Sequence, residues 1–210
     1  MRIWRSRTLW GGLLVVMGIL FLLESLQILA LGGVWAALFI AAGLTFGYTF
    51  LENRESWWAT IPAMTLLSIG TLIGIDAIFP RLGNLLGGSI VLGGLALSFW
   101  IIYFTTHYQQ WWAIIPGGVL LSLALGVAVE PFIQEDVFAA LFLLGIALTF
   151  VLVYFLPTAN QRMSWALFPA GALAIVGLIV LSVTTRLAGL VWPCLLIAVG
   201  AYILLKNLRR

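Results

Sequence analysis

A five-residue phrase occurs three times in this chain, as Trp58-Ala59-x-x-Pro62, Trp112-Ala113-x-x-Pro116 and Trp165-Ala166-x-x-Pro169, with the prolines 54 and 53 residues apart. Recurrence at near-constant spacing marks a tandem array. Each phrase follows a short polar patch and opens an apolar run of about twenty residues, the length of a membrane-spanning helix. The unit expected from this pattern is a helical hairpin in lipid. A fourth, more divergent copy stands at the start of the chain, where Trp10-Gly11-Gly12 aligns with Pro62-Ala63-Met64, Pro116-Gly117-Gly118 and Pro169-Ala170-Gly171. Small residues recur eight positions further on, at Gly18, Gly70, Ala124 and Gly177. An acid recurs at Glu24, Asp76 and Glu130, and the last copy has Val183 there.

The hydrophobic fraction is 63%, charged residues make up 8% and the mean hydropathy is +1.17. A water-soluble fold of this size could not bury so much apolar surface. The expected fold class is an all-α integral membrane protein with eight transmembrane helices. Its spans are expected over residues 9–29, 33–51, 57–79, 85–104, 111–129, 137–156, 164–183 and 188–205. They form one membrane domain of four repeats, approximately 1–52, 53–105, 106–157 and 158–210. The basic start followed by an apolar run is longer than the ~7–15 residues of a secretory h-region and reads as the first span.

Orientation follows from the basic residues. Arg2, Arg5, Arg7, Arg54, Arg162, Lys206, Arg209 and Arg210 fall on one side, and only Arg81 and Arg186 on the other, which places both termini in the cytoplasm. A bacterial cytoplasmic membrane is the expected location. The net charge of +3 is thus a topology signal, and no nucleic-acid surface is expected.

The Trp-Ala-x-x-Pro phrase has a sufficient mechanical explanation. Proline is tolerated in the first helical turn, where its missing donor would have no intrahelical partner. Trp57, Trp58, Trp111, Trp112 and Trp165 are expected at headgroup depth, with Trp35 and Trp192 marking the opposite interface. Small residues four apart, such as Gly43 with Gly47, Gly70 with Gly74 and Gly83 with Gly87, let helices approach closely in lipid. Ser98 and Thr149, in the repeated segments from Gly94 to Tyr103 and from Gly145 to Tyr154, are expected to bond backbone carbonyls or a neighbouring helix.

The stretch Arg7-Thr8-Leu9-Trp10-Gly11-Gly12-Leu13-Leu14 through Gly18 to Leu22-Leu23-Glu24, and the stretch Leu190-Val191-Trp192-Pro193-x-Leu195-Leu196-Ile197 through Gly200 to Leu204-Leu205, resemble the paired helices of the LiaI/LiaF-like bacterial transmembrane region. That resemblance implies a role in cell-envelope stress signalling, by restraining a membrane sensor kinase or anchoring a phage-shock-type coiled-coil protein at the inner face. It brings no catalytic residues. Unlike the kinase-regulating members, the chain has no soluble domain between its last expected span and Arg210.

Chemistry-bearing residues are few. A single histidine, His107, argues against paired haem ligands, multi-histidine metal sites and a histidine triad within the chain. Cys194 is the only cysteine, so no intrachain disulfide forms. No enzyme activity and no cofactor are expected. The recurrent acids are the one constellation with functional content: Glu24, Asp76 and Glu130 could face a shared outer vestibule, with Arg186 as counter-charge, and form a cation or proton site. The favoured alternative is that they are helix-end residues reaching the headgroups, repeated because the hairpin was duplicated, and then only Glu24 needs a specific partner. Two functional classes remain open: a non-enzymatic scaffold or sensor that binds lipid and other membrane-associated proteins, and a small-solute or ion transporter with an outer acidic site.

Overall fold

The structure, a computed structural model, describes residues 2–26, 31–106, 109–133, 135–156, 163–184 and 197, with residues 2–10, 13, 21, 23, 135, 136 and 184 described by their backbone alone. Seven helices run through them: α1 (Arg2–Ser25), α2 (Gly32–Glu52), α3 (Thr60–Ile78), α4 (Pro80–Thr105), α5 (Ile114–Val129), α6 (Glu135–Phe155) and α7 (Leu167–Thr184). The described residues contain no strand. Among the described residues six segments are long and apolar enough to cross a membrane, Gly32–Glu52, Trp57–Ile78, Pro80–Thr105, Trp111–Phe132, Val137–Phe155 and Ser164–Val183. The expected first span is helical as α1 but is not among these six, and the expected eighth, 188–205, lies outside the described residues.

The Trp-Ala phrases do not begin the α-helices directly. Trp57–Ala59, Trp111–Ala113 and Ser164–Ala166 each form one 3₁₀ turn, and α3, α5 and α7 start on the next residue. The tighter winding lets one backbone N–H reach two carbonyls, as that of Thr60 does with those of Trp57 and Trp58. Pro62, Pro116 and Pro169 then occupy the third α-helical position, inside the first turn, where no intrahelical bond is lost. The fourth helix departs from its expected start near 85. Pro80 stands at the N1 position of α4, its fixed φ continuing straight into the helix, and Phe79 alone links α3 to α4.

From α2 to α7, each helix packs chiefly on its neighbours in sequence, so these six form a consecutive row. Small residues set the approach. A Cβ at Gly43 of α2 would stand 2.8 Å from Leu67 Cγ and 3.0 Å from the Ala63 carbonyl oxygen, and one at Gly70 of α3 would stand 2.9 Å from the Ala36 carbonyl oxygen. These two contacts close an antiparallel pair nearly backbone to backbone. Across α3 and α4, Gly94 faces Ser68 and Gly87 faces Leu72; across α5 and α6, Gly145 faces Ser122 and Gly118 faces Thr149. Of the expected four-residue pairs, Gly83 and Gly87 both meet α3. Gly47, however, has nothing within 4 Å, and Gly74 meets only the Ala36 Cβ at 3.9 Å. The α2–α3 pair stays in contact along its length, from Gly32 beside Ala77 to Phe46 beside Trp58, but the second glycine of these pairs lies away from the closest approach.

The densest core lies at the end of the row that carries the 3₁₀ turns. Ile102, Tyr103, Ala113, Ile114, Val153 and Ala166 are buried there, and Trp57, Phe99, Trp112 and Phe150 pack against them. Elsewhere the row is thin: at most 33% of the most apolar window of any span is buried within the chain.

Candidate functional site: tryptophan turns and acidic helix ends

The turn tryptophans each meet a ring on the preceding helix. Trp58 sits edge-on to Phe46 at 6.3 Å between centroids, Trp112 to Phe99 at 6.1 Å and Trp165 to Phe150 at 6.2 Å, with interplanar angles of 76°, 76° and 74°. This geometry aligns ring edge with ring face and adds to the stabilisation from burial. It ties the start of α3, α5 and α7 to the helix before it. The small residue of each turn makes this approach possible, because Ala59, Ala113 and Ala166 are all fully buried.

The tryptophans then divide. Trp58 and Trp165 remain about half exposed, at 52% and 47%, as headgroup-level rings would be. Trp57, Trp111 and Trp112 are half-buried. Trp57 packs edge-on to Trp112 at 5.8 Å, which joins the first turn to the second, and the Trp112 Nε1–H donates to Gln110 Oε1 at 2.5 Å. Trp57 and Trp112 therefore serve the core. Nearby, the Arg54 guanidinium lies 4.8 Å from the centroid of the Phe50 ring, a cation–π contact at the end of α2.

At the opposite helix ends, the acids have unlike surroundings. Glu24 lies at the end of α1 and accepts a hydrogen bond from the Trp35 Nε1–H at 2.6 Å, across the link to α2. Trp35 was expected to mark an interface, but it is buried, at 8% exposure, and its ring edge is turned to the carboxylate. An indole N–H taken out of water needs an acceptor, and Glu24 provides it. Asp76 is exposed two residues before the end of α3, its backbone and Cβ lying against Gly83 of α4. Glu130 is exposed at the start of a 3₁₀ turn, Glu130–Phe132, that ends α5. Among the described residues neither carboxylate has a hydrogen bond or ion pair, and no described residue links the three acids. Arg186, Trp192, His107 and Cys194 lie outside the described residues.

The interior polar groups are held locally. Ser98 Oγ donates to the Leu95 carbonyl at 2.6 Å and Thr149 Oγ1 to the Gly145 carbonyl at 2.9 Å, each within its own helix. Such bonds satisfy a hydroxyl in apolar surroundings without requiring a partner helix. Two apolar clefts lie between helices. One of about 330 Å³ is lined by Trp100, Ser122, Leu148 and Thr149, and one of about 510 Å³ by Tyr48, Thr60, Met64 and Ile101. Trp100 Nε1 and Thr60 Oγ1 are buried beside them without a hydrogen bond among the described residues. No group of three or more metal-ligating side chains occurs among the described residues.

The sequence reading missed Phe46, Phe99 and Phe150 as partners of the turn tryptophans. The signal was present, since Thr45-Phe46, Ser98-Phe99 and Thr149-Phe150 recur at the repeat spacing. No protein-family model, curated protein or solved structure matches the chain.

Proposed function

We propose that this chain is an eight-span protein of four tandem helical hairpins in a bacterial cytoplasmic membrane, with both termini inside, acting as a non-enzymatic scaffold or sensor in the response to envelope stress. The observation that carries this reading is the thin row of helices. Its members bury a third or less of their apolar windows on one another and leave large aliphatic and aromatic side chains, Leu38, Leu44, Leu125 and Phe168 among them, exposed. Such a molecule offers extended helix faces to lipid and to other membrane helices. The resemblance of its first and last hairpins to the LiaI/LiaF-like region supplies the envelope-stress context.

Mass spectrometry of proteins crosslinked to the chain in intact cells, before and after a cell-wall antibiotic, tests the reading. Recovery of a sensor kinase or a phage-shock-type protein in stress-dependent yield is the expected result. The same partners at the same yield in both conditions would refute a stress role.

The second reading, a small-solute or ion transporter with an outer acidic site, draws on the exposed Asp76 and Glu130 without partners among the described residues. It requires flux in proteoliposomes that the double variant Asp76→Asn/Glu130→Gln abolishes.

A further inference from the structure

Gly47 of α2 stands where the later hairpins carry a larger side chain. It follows Thr45-Phe46 as Trp100 follows Ser98-Phe99 and Val151 follows Thr149-Phe150, yet a Cβ at Gly47 would meet nothing within 4 Å. Trp100 lies against Gly117 of α5, with Cδ1 and Nε1 both 3.4 Å from where a Cβ would stand, so it fills the groove between its helix and the next. At Gly47 the groove stays open. It forms the apolar cleft of about 510 Å³, with Gly47, Tyr48 and Phe50 of α2, Thr60 and Met64 of α3 and Ile101 of α4 in its wall. That volume falls within the roughly 300–1,000 Å³ of small-molecule sites.

Two more wall residues depart from the repeat, and both add a hydroxyl. Thr60 stands in place of Ile114 and Leu167, and Tyr48 in place of Ile101 and Leu152. Among the described residues the other buried serines and threonines, Ser68, Ser98, Thr149 and Ser182, each donate to a carbonyl of their own helix. Thr60, at 4% exposure, has no partner for its Oγ1 among them. It is the first residue of α3, so no α-helical turn precedes it to present such a carbonyl. Because isoleucine and leucine serve the same place in the other hairpins, packing does not require the hydroxyl, and leaving it unsatisfied is costly.

Charge gathers at one end of the cleft. The Arg54 guanidinium lies over the ring of Phe50, a wall residue, and has no ion pair among the described residues. Glu52 and Glu55 flank it, both exposed, and the Glu55 N–H donates to Asn53 Oδ1 at 3.0 Å. One cation and two carboxylates thus stand in the link between α2 and α3, beside the half-exposed Trp58.

We infer that this cleft binds one phospholipid with a zwitterionic, amine-bearing headgroup, its acyl chain along Gly47 and Met64, its phosphate on Arg54 and its ammonium between Glu52 and Glu55. The ester carbonyl, which joins chain to headgroup, gives the Thr60 hydroxyl its acceptor. Two carboxylates against one guanidinium disfavour an anionic headgroup. The binding requires α2 and α3 to span the membrane and is independent of the stress role.

The test is native mass spectrometry of the full chain, released from micelles that hold equal amounts of dioleoyl phosphatidylethanolamine and dioleoyl phosphatidylglycerol. One phosphatidylethanolamine should stay bound in preference. Gly47→Trp, which copies the second hairpin, should remove it with the melting temperature unchanged. Thr60→Val should weaken it about fivefold, the usual worth of one hydrogen bond, and Thr60→Ser should retain it. The double variant Glu52→Gln/Glu55→Gln should bind phosphatidylglycerol as well, a change in selectivity that a merely structural role would not produce. Equal retention of both lipids by the unsubstituted chain would overturn the inference, as would phosphatidylethanolamine retention undiminished by both Gly47→Trp and Thr60→Val. A phosphatidylethanolamine with a photoreactive acyl chain gives a second reading: the label should fall on Met64 and Ile101. Label spread evenly over exposed residues such as Leu38 and Leu125 would overturn the site in favour of ordinary boundary lipid.

Discussion

Glu24 and Trp35 form a specific side-chain contact at the helix ends opposite the tryptophan turns, a carboxylate and an indole 2.6 Å apart and 11 residues apart in sequence. Trp35→Phe keeps the ring and removes the donor, so it should cost about 1 kcal/mol, the usual scale for a polar contact between membrane helices. Glu24→Gln keeps an acceptor oxygen and should lose less than Glu24→Ala, and the double variant Glu24→Ala/Trp35→Phe should cost less than the sum of its parts. Unfolding in mixed detergent micelles measures all four. At the turns, Trp112 joins Phe99, Trp57 and Gln110, so Trp112→Leu should lose about 0.5–1.5 kcal/mol beyond its change in buried area. Trp165→Leu, whose ring is half exposed and meets Phe150 alone among the aromatic contacts of the described residues, should lose less in the same assay. An equal loss at both positions would mean that the two rings act only as headgroup anchors.

At the scale of the helices, the contrast between Gly43 and Gly47 isolates close packing from composition. Both lie on α2, one turn apart and in the same apolar surroundings, yet only Gly43 approaches α3. Gly43→Leu should destabilise the α2–α3 pair by about 1–3 kcal/mol through overpacking, while Gly47→Leu should be close to neutral. Proteolytic sensitivity of the 53–56 link in detergent reads the difference. The expected pairing of Gly43 with Gly47 was legible as a motif, but which of the two touches another helix depends on how α2 and α3 are set against each other, and no local pattern encodes that. The 3₁₀ turns are a similar case. Proline at the third helical position was readable from its spacing to the tryptophan, whereas the tighter turn before it depends on Ala59, Ala113 and Ala166 being buried against a preceding helix.

For the whole molecule, the proposed orientation predicts a sidedness that labelling can check. In a Cys194→Ser background, Arg54→Cys and Ser164→Cys should react with an impermeant thiol reagent only in inverted vesicles, and Arg81→Cys only in intact cells. Reaction of Arg54→Cys and Arg81→Cys from the same side would mean that Trp57–Ile78 does not cross the membrane. The exposed aliphatic flanks set the second expectation: removed from lipid or a lipid-like detergent, the chain should aggregate, because most of its apolar surface is turned outward.

The apolar, membrane-length character of most helices and the approximate places where α3, α5 and α7 begin were determined by the sequence alone, because each depends on local apolar density and on residues such as Pro62 that act on their own turn, whereas the start of α4 at Pro80 lies five residues ahead of the one expected. The fate of individual polar and small residues was decided only by the tertiary structure. Trp35 looked like any interfacial tryptophan until α1 and α2 brought Glu24 to its N–H. Asp76 and Glu130 looked like one recurring acid, yet they lie exposed on different helix ends while Glu24 is engaged. Periodicity places a residue at a depth and on a helix, but the partner comes from a second helix whose angle and register are set by all the contacts between them.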